Sequence, residues 1–143
     1  NKKLNNKFLK VAYKKADLTK IKKLKKTNLI LSILTLPFLN IMQRKKLIKL
    51  IYRSLNKGGA FIFVDKIRSS NSVFEDIFNQ VYYDFKLEKK FNSKQILNKS
   101  KMLRSSMNLL SLVDVNSELN EKDFKKKDIF FKWFNFIGII AIK

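Results

Sequence analysis

Two short uncharged runs on either side of an amphipathic segment constrain this chain more than any other feature. Asn28 to Leu34 reads Asn-Leu-Ile-Leu-Ser-Ile-Leu, Arg44 to Leu55 places Leu47, Ile48, Ile51 and Leu55 on one helical face, and Ala60 to Asp65 reads Ala-Phe-Ile-Phe-Val-Asp. A run of Leu and Ile without charge suits a strand covered on both faces, and the helical stripe between the runs supplies one cover. Asn56-Lys57-Gly58-Gly59 stands between helix and second strand and holds two of the chain's three glycines. Glycine takes the left-handed conformation that closes a helix, so the pair is expected to end it. Strand, crossover helix and strand make a parallel βαβ unit, the building block of doubly wound α/β sheets.

The flanking segments extend this pattern. A strand is expected over Phe8 to Ala16, ending at Asp17. Ser72 with Glu75 reads as a capping box opening a helix, along which Phe74, Ile77, Phe78, Val81 and Phe85 recur at helical spacing. Asn92 with Gln95 opens another, with Ile96, Ser100, Leu103 and Met107 along one side. Leu109 to Leu119 continues as helix or loop, and Lys122 to Asp128 is a charged connection. Two neighbouring strands, Ile129 to Phe134 and Phe136 to Ile142, close the chain, and Gly138 permits a bulge or a close approach there. No repeat or low-complexity linker divides the sequence, so residues 1–143 are read as part of one domain.

The chemistry is bounded by what is missing. With no Cys and no His, the chain has no disulfide, no thiolate and neither the commonest general base nor the commonest metal ligand, so no metal site is expected. The longest apolar stretches, Leu29 to Met42 and Ile129 to Ile142, are short and broken by Pro37, Asn40 or Lys132; no bilayer span is expected, and the expected location is the cytoplasm. The formal net charge of +21 suggests a polyanionic partner. All but four of the 32 basic residues are lysine, however, beside abundant Asn, Ile and Phe. Those residue types share A- and T-rich codons, so genomic base bias accounts for the charge as readily as a selected RNA or membrane surface does. The runs Lys20 to Lys26 and Lys125 to Lys127 read as solvated turns and faces.

The order Phe38-Leu39, Arg44, Leu47, Ile51-Tyr52, Leu55-Asn56 and Gly58-Gly59 resembles the second half of a class I S-adenosylmethionine methyltransferase. Phe78-Asn79, Asp84-Phe85-Lys86, Lys99, Met102-Leu103, Met107 and the closing Phe131-Lys132-Trp133-Phe134-Asn135-Phe136 narrow the likeness. Together they resemble the carboxy-S-adenosyl-methionine synthase family, first described as a tRNA methyltransferase, which makes the carboxylated cofactor used on wobble uridine. The resemblance implies a Rossmann-like sheet of order 3-2-1-4-5-7-6, to which this chain would contribute strands 3 to 7. No Gly-x-Gly-x-x-Gly loop precedes the first strand, and in this fold that loop holds the amino acid end of the cofactor. The chain is therefore read as the carboxyl half of a longer domain, whose first strand lacks its neighbours and should fray, swap or re-pair beside Leu29 to Leu34.

The resemblance also implies site residues. Asp17 and Leu18 match an Asp-Ile pair at the adenine, where a carboxylate accepts from the exocyclic amine; Asp17 reads equally well as the cap of a turn. Ile33 stands where the family has an Asn that contacts the cofactor, with Ser32 beside it; Ile offers no hydrogen bond and is expected to pack in the core. Ser100 stands where the family has an Arg that holds the extra carboxylate of the product. Serine cannot reproduce a bidentate guanidinium, and Lys101 lies about 100° around a helix from it. Tyr82, Tyr83, Asp84 and Lys86 border the expected substrate pocket, although an aromatic stripe at helical spacing commonly belongs to a core.

By resemblance, then, the complete enzyme converts S-adenosylmethionine and prephenate to carboxy-S-adenosylmethionine as a homodimer, without requiring direct tRNA contact. This fragment alone is expected to be impaired or inactive. Three other readings stand beside it: an ordinary methyltransferase, a non-catalytic basic module for RNA or another partner, and a decayed fragment. No catalytic residue is assigned by the sequence.

Overall fold

The computed structural model describes residues 11–143. Strand β1 (Thr27–Ile33) leads through a 3₁₀ turn into helix α1 (Ile41–Ser54) and strand β2 (Leu55–Lys66). Helices α2 (Ser72–Glu88), α3 (Ser93–Arg104) and α4 (Leu112–Asn120) follow, then the hairpin β3 (Lys126–Trp133) and β4 (Phe136–Ile142). The sheet order is β1-β2-β4-β3, with β1 parallel to β2 and the other pairs antiparallel. This is the 4-5-7-6 portion of the expected sheet. The α/β class, the βαβ unit and the antiparallel closing strand are as the sequence indicates.

One face of the sheet holds the core. Phe61 and Phe63 of β2 stack with ring centroids 5.0 Å apart, between Ile137, Ile139 and Ala141 of β4 on one side and the 3₁₀ turn's Leu36 on the other. Leu47, Ile48 and Ile51 of α1 and Val115 and Leu119 of α4 cover them, with Phe124 closing the end. Each of the Val, Leu, Ile and Phe side chains among them contributes about 1.5–3 kcal/mol by leaving water. The opposite face carries Leu29, Leu31 and Ile33 of β1 beside Ala60, Ile62 and Val64 of β2. It is open: Leu31 is 60% and Ile33 57% exposed. Ile33 therefore does not pack in the core, contrary to expectation, because strand alternation turns it away from α1.

The segment expected as a first strand falls partly on residues 8–10, outside those described. Val11 to Ala16 form no regular structure and are exposed, so the sheet has four strands among the described residues and no described strand pairs with the outer edge of β1. Asp17 instead caps a 3₁₀ turn, Leu18–Lys20.

The glycine pair does not end α1. The helix passes straight into β2 through Leu55, whose backbone is already extended, and Asn56–Gly59 bulge out of the strand. Pairing moves from Thr27↔Leu55 to Leu29↔Ala60, two residues along β1 against five along β2. Gly58, at φ +77°, turns this bulge, while a Cβ on Gly59 would meet the carbonyl oxygens of Asn28 and Asn56 at 3.0 Å. The glycines thus permit a tight strand approach rather than a helix cap. At Gly138 both sequence readings hold: the β3 register shifts between Ile129 and Phe131, and a Cβ would strike the Phe130 ring at 2.7 Å.

Helix starts are set by local side-chain bonds. Asn40 with Gln43, Asn92 with Gln95 and Ser111 with Asp114 are complete capping boxes. Ser72 and Glu75 are not one. Asn71 caps α2 by accepting from the Val73 amide at 2.8 Å, and Glu75 accepts from the Ser69 amide at 2.7 Å, tying the preceding loop to the helix. Helix α4 begins inside the stretch Leu109 to Leu119 and ends one residue beyond it, and β3 begins at Lys126, inside the expected charged connection.

Candidate functional site

The carboxyl ends of β1 and β2 open into a cleft of about 450 Å³, walled by α2 and α3. Its position follows from the crossover: both parallel strands end here, and the chain leaves each toward a helix rather than across the gap. Leu34, just past β1, lines the cleft with φ +50°, a conformation sparsely populated by non-glycine residues. Its amide still donates to Val64 at 2.7 Å, so the ladder holds the bend in place.

At the end of β2, alternation sends consecutive residues to opposite faces. Asp65 points into the core, where Arg44 of α1 meets it at 3.5 Å and Glu118 of α4 at 2.6 Å, all three buried. A single guanidinium cannot neutralise two buried carboxylates. Burial pushes Asp65 up to about 7 against the pull of Arg44, and raises Glu118 for the same reason. The cluster joins α1, β2 and α4 beneath the cleft without lining it.

Lys66 faces the other way, into the cleft. Its ammonium donates to Asn79 Oδ1 at 3.3 Å; Asn135 Nδ2 donates to the same oxygen at 3.3 Å, and Asn79 Nδ2 donates to Glu75 at 3.2 Å. Burial lowers the Lys66 pKa, partly offset by Glu75. Lys86 sits 3.9 Å above the Tyr82 ring, close enough for a cation–π contact, with Lys66 5.8 Å from the same ring. Its pKa is lowered by burial and then by the charges of Lys99 and Lys66. Burial raises the Tyr82 hydroxyl, with Tyr83 adding to it.

Four of the residues expected at the site meet in this cleft, Lys86 among them, while Asp84 is exposed and outside its lining. Tyr82, Tyr83 and Ser100 line it, and the Tyr83 hydroxyl and Ser100 Oγ are hydrogen-bonded at 3.1 Å, joining α2 to α3. The aromatic stripe of α2 is not core. No residue of α2 is buried, and Phe78, Tyr82 and Phe85 pack edge-on or tilted against Trp133, Phe134 and Phe136 of the hairpin, with centroids 5.0–5.9 Å apart. Lys101 is exposed on α3 and does not line the cleft.

Asp17, Leu18 and Ile33 also lie outside the lining. Asp17 Oδ1 accepts from the Thr19 amide at 2.9 Å and its hydroxyl at 2.7 Å, bonds that lower its pKa; Leu18 packs against the core. Sequence reasoning missed Lys66, Lys99 and Arg104 as lining residues. Arg104 had a usable signal, standing one helical turn beyond Ser100. Lys66 had none, since its position depends on where β2 stops. Among the described residues no group of His, Cys, Asp or Glu is placed to hold a metal, and no helix is long and apolar enough to cross a membrane.

No family model matches the chain. Individual proteins do. Carboxy-S-adenosyl-L-methionine synthase of Staphylococcus epidermidis is 46% identical over 114 residues, covering 80% of this chain and 50% of that protein. The synthase of Methylococcus capsulatus is 33% identical over 129 residues, covering 90% and 53%. Among solved structures, human N-acetylserotonin methyltransferase in complex with S-adenosylmethionine superposes with a TM-score of 0.59 at 14% identity, over 91% of this chain and 33% of that one. The last likeness shows the fold, part of a class I methyltransferase sheet. The chain spans about half the length of the curated relatives it matches. With that identity along most of its residues, the chain belongs to the carboxy-S-adenosyl-L-methionine synthase family.

Proposed function

We propose that this chain is the substrate-side half of a carboxy-S-adenosyl-L-methionine synthase domain, which converts S-adenosylmethionine and prephenate to carboxy-S-adenosylmethionine for modification of wobble uridine in tRNA. One observation carries the reading beyond the relatives' names: a cleft at the carboxyl ends of the parallel strands, lined by several cations and two tyrosines, which suits an anionic, ring-bearing substrate. S-adenosylmethionine, when bound, supplies the sulfonium-activated methyl group that becomes carboxylated. This chain's residues would bind and orient the anionic donor beside it, with Lys66, Lys86 and Lys99 as the neutralising charges. Such work needs positioning and charge stabilisation rather than a nucleophile, so the lack of Cys and His is no obstacle. Asp17 and Leu18 would receive the adenine and Ile33 would border the cofactor, roles that rest on the resemblance. The complete protein would act as a homodimer in the cytoplasm, handing its product to a separate tRNA-modifying step.

The test joins the part of the S. epidermidis synthase that this chain does not span to residues 1–143. Incubation with S-adenosylmethionine and prephenate, followed by mass spectrometry of the nucleoside product, should show the carboxylated sulfonium. Methyl transfer to a third molecule with no such product would refute the reading.

A further inference from the structure

We propose that Lys66 is an imine-forming lysine: its Nζ adds to a small aldehyde or ketone held in the cleft, with Lys86 as the cation beside it. This is an activity beyond the proposed function, and neither depends on the other.

Lys66 is the last residue of β2, paired with Phe136 and turned into the cleft while Asp65 turns into the core. The ladder fixes its Cα, so the amine is presented from a rigid element rather than a loop. It is half-buried, and its one hydrogen-bond acceptor is a neutral one, Asn79 Oδ1 at 3.3 Å, which also accepts from Asn135 Nδ2. Glu75 is the carboxylate of the lining, and its oxygens are taken by the Ser69 amide and Asn79 Nδ2. Among the described residues Lys66 forms no ion pair. A partly desolvated ammonium thus has no counter-charge in contact with it, the condition under which an amine gives up its proton.

Its neighbours push the same way. The charged groups around it are Glu75 and Lys86 from α2 and Lys99 and Arg104 from α3; the hairpin contributes the uncharged Asn135 and Phe136. Lys66 and Lys86 lie 5.8 and 3.9 Å from the centroid of one ring, that of Tyr82, and Lys86 is also 5.7 Å from that of Tyr83. Burial, Lys99 and Lys66 lower the Lys86 pKa, but two ring faces favour its charged form and make it the cation of the pair. Lys66, whose pKa burial lowers against Glu75 alone, is the member that loses its proton. A desolvated lysine next to a second cation is a nucleophile at neutral pH. The free amine attacks the carbonyl carbon and a C–N bond forms. The amine's proton passes to the oxygen, and the hydroxyl so made takes a second proton and leaves as water. Tyr82, whose hydroxyl burial keeps protonated, lines the cleft as a source of that proton and regains it from solvent. The product is a protonated imine, reversed by water, with the same charge as the ammonium it replaces.

The test treats the 143-residue chain with limiting acetaldehyde and cyanoborohydride, which traps an imine as an ethyl group, and locates the label by peptide mass spectrometry. At pH 7 Lys66 should be labelled about fivefold faster or more than Lys101, an exposed lysine of α3, and Lys66→Arg should remove the fast site. Without reductant, dilution should return the chain to its original mass. Lys86→Met separates activation of the amine from access to it. Labelling of Lys66 in that variant should fall several-fold at pH 7 and return to the wild-type rate as pH is raised, moving the pH profile upward. Labelling of Lys66 no faster than of Lys101, faster labelling of Lys86 than of Lys66, or a Lys86→Met profile that keeps its midpoint would each overturn the assignment. Any of these leaves the carboxylated-cofactor reading standing, and a joined enzyme that makes no carboxylated product leaves the imine standing.

Discussion

Arg44 is the residue on which most of the fold's polar interior depends. It lies on the apolar stripe of α1, three residues before Leu47 and four before Ile48, and its guanidinium is spent between Glu118 and Asp65. Removing it leaves two buried carboxylates without a counter-charge, so Arg44→Met should lower unfolding free energy by about 3–5 kcal/mol in urea titration. A loss under 1 kcal/mol would show that the cluster is solvated. Asp65 also gives a pH signature. Its folded pKa of about 7 lies above the ordinary 3.8, so across that interval the folded state holds a proton that the unfolded chain has released. Stability is fully present at the acid end and falls as pH rises toward about 7. Exposed Asp17, Asp114 and Glu121 have lowered pKa values and act in the opposite sense, so the contribution of Asp65 is read as a difference. Thermal melts from pH 4 to 7 should decline more in the wild type than in Asp65→Asn; parallel curves would disprove the assignment.

At the scale of elements, the bulge after α1 decides how β1 and β2 meet. Gly58 needs its left-handed backbone but has open space around it, whereas Gly59 needs space because two carbonyl oxygens close on it. Gly58→Ala should therefore cost about 1 kcal/mol and leave the sheet unchanged. Gly59→Ala has to push Asn28 or Asn56 away, which should break the Asn56–Asn28 side-chain bond of 2.7 Å and raise hydrogen exchange at the start of β1. Equal exchange in the two variants would show that the strand approach is looser than its geometry. The same element logic explains why α2, despite its aromatic stripe, lies outside the core: its rings are taken by the hairpin's Trp133, Phe134 and Phe136 at the lip of the cleft.

Over the whole molecule, one sheet face is filled and the other is bare at β1. Leu29, Leu31 and Ile33 form an apolar edge strand with no described partner on its outer side, an arrangement prone to pairing with another chain. Leu31→Lys, on the open face, should raise the concentration at which the protein stays monodisperse in light scattering without lowering its melting temperature. A drop in melting temperature would mean that Leu31 is packed. Ligand affinity belongs to this scale as well. The 143 residues contain three glycines and no glycine-rich loop ahead of β1, so calorimetry should find no micromolar binding of S-adenosylmethionine to the chain alone. Micromolar binding would show that the cleft side suffices for the cofactor.

The βαβ unit, the Asn92–Gln95 capping box and the closing hairpin were legible in the sequence because each rests on neighbours in the chain: helical or alternating apolar spacing, or a side chain reaching three residues back. The family was legible from short motifs in a fixed order. Where contacts depend on distant segments, the sequence was silent or misleading. It placed Ile33 in the core, but an apolar residue is buried only if something covers its face, and nothing described covers that of β1. It assigned the glycines to a helix end because the register of β1 against β2 is not a local property. Of the site, Tyr82, Tyr83, Lys86 and Ser100 were named, yet their meeting with Lys66, Lys99 and Arg104 was not. That convergence is made where β2 stops and two helices close over it, so packing among three elements decides it and no spacing along the chain records it.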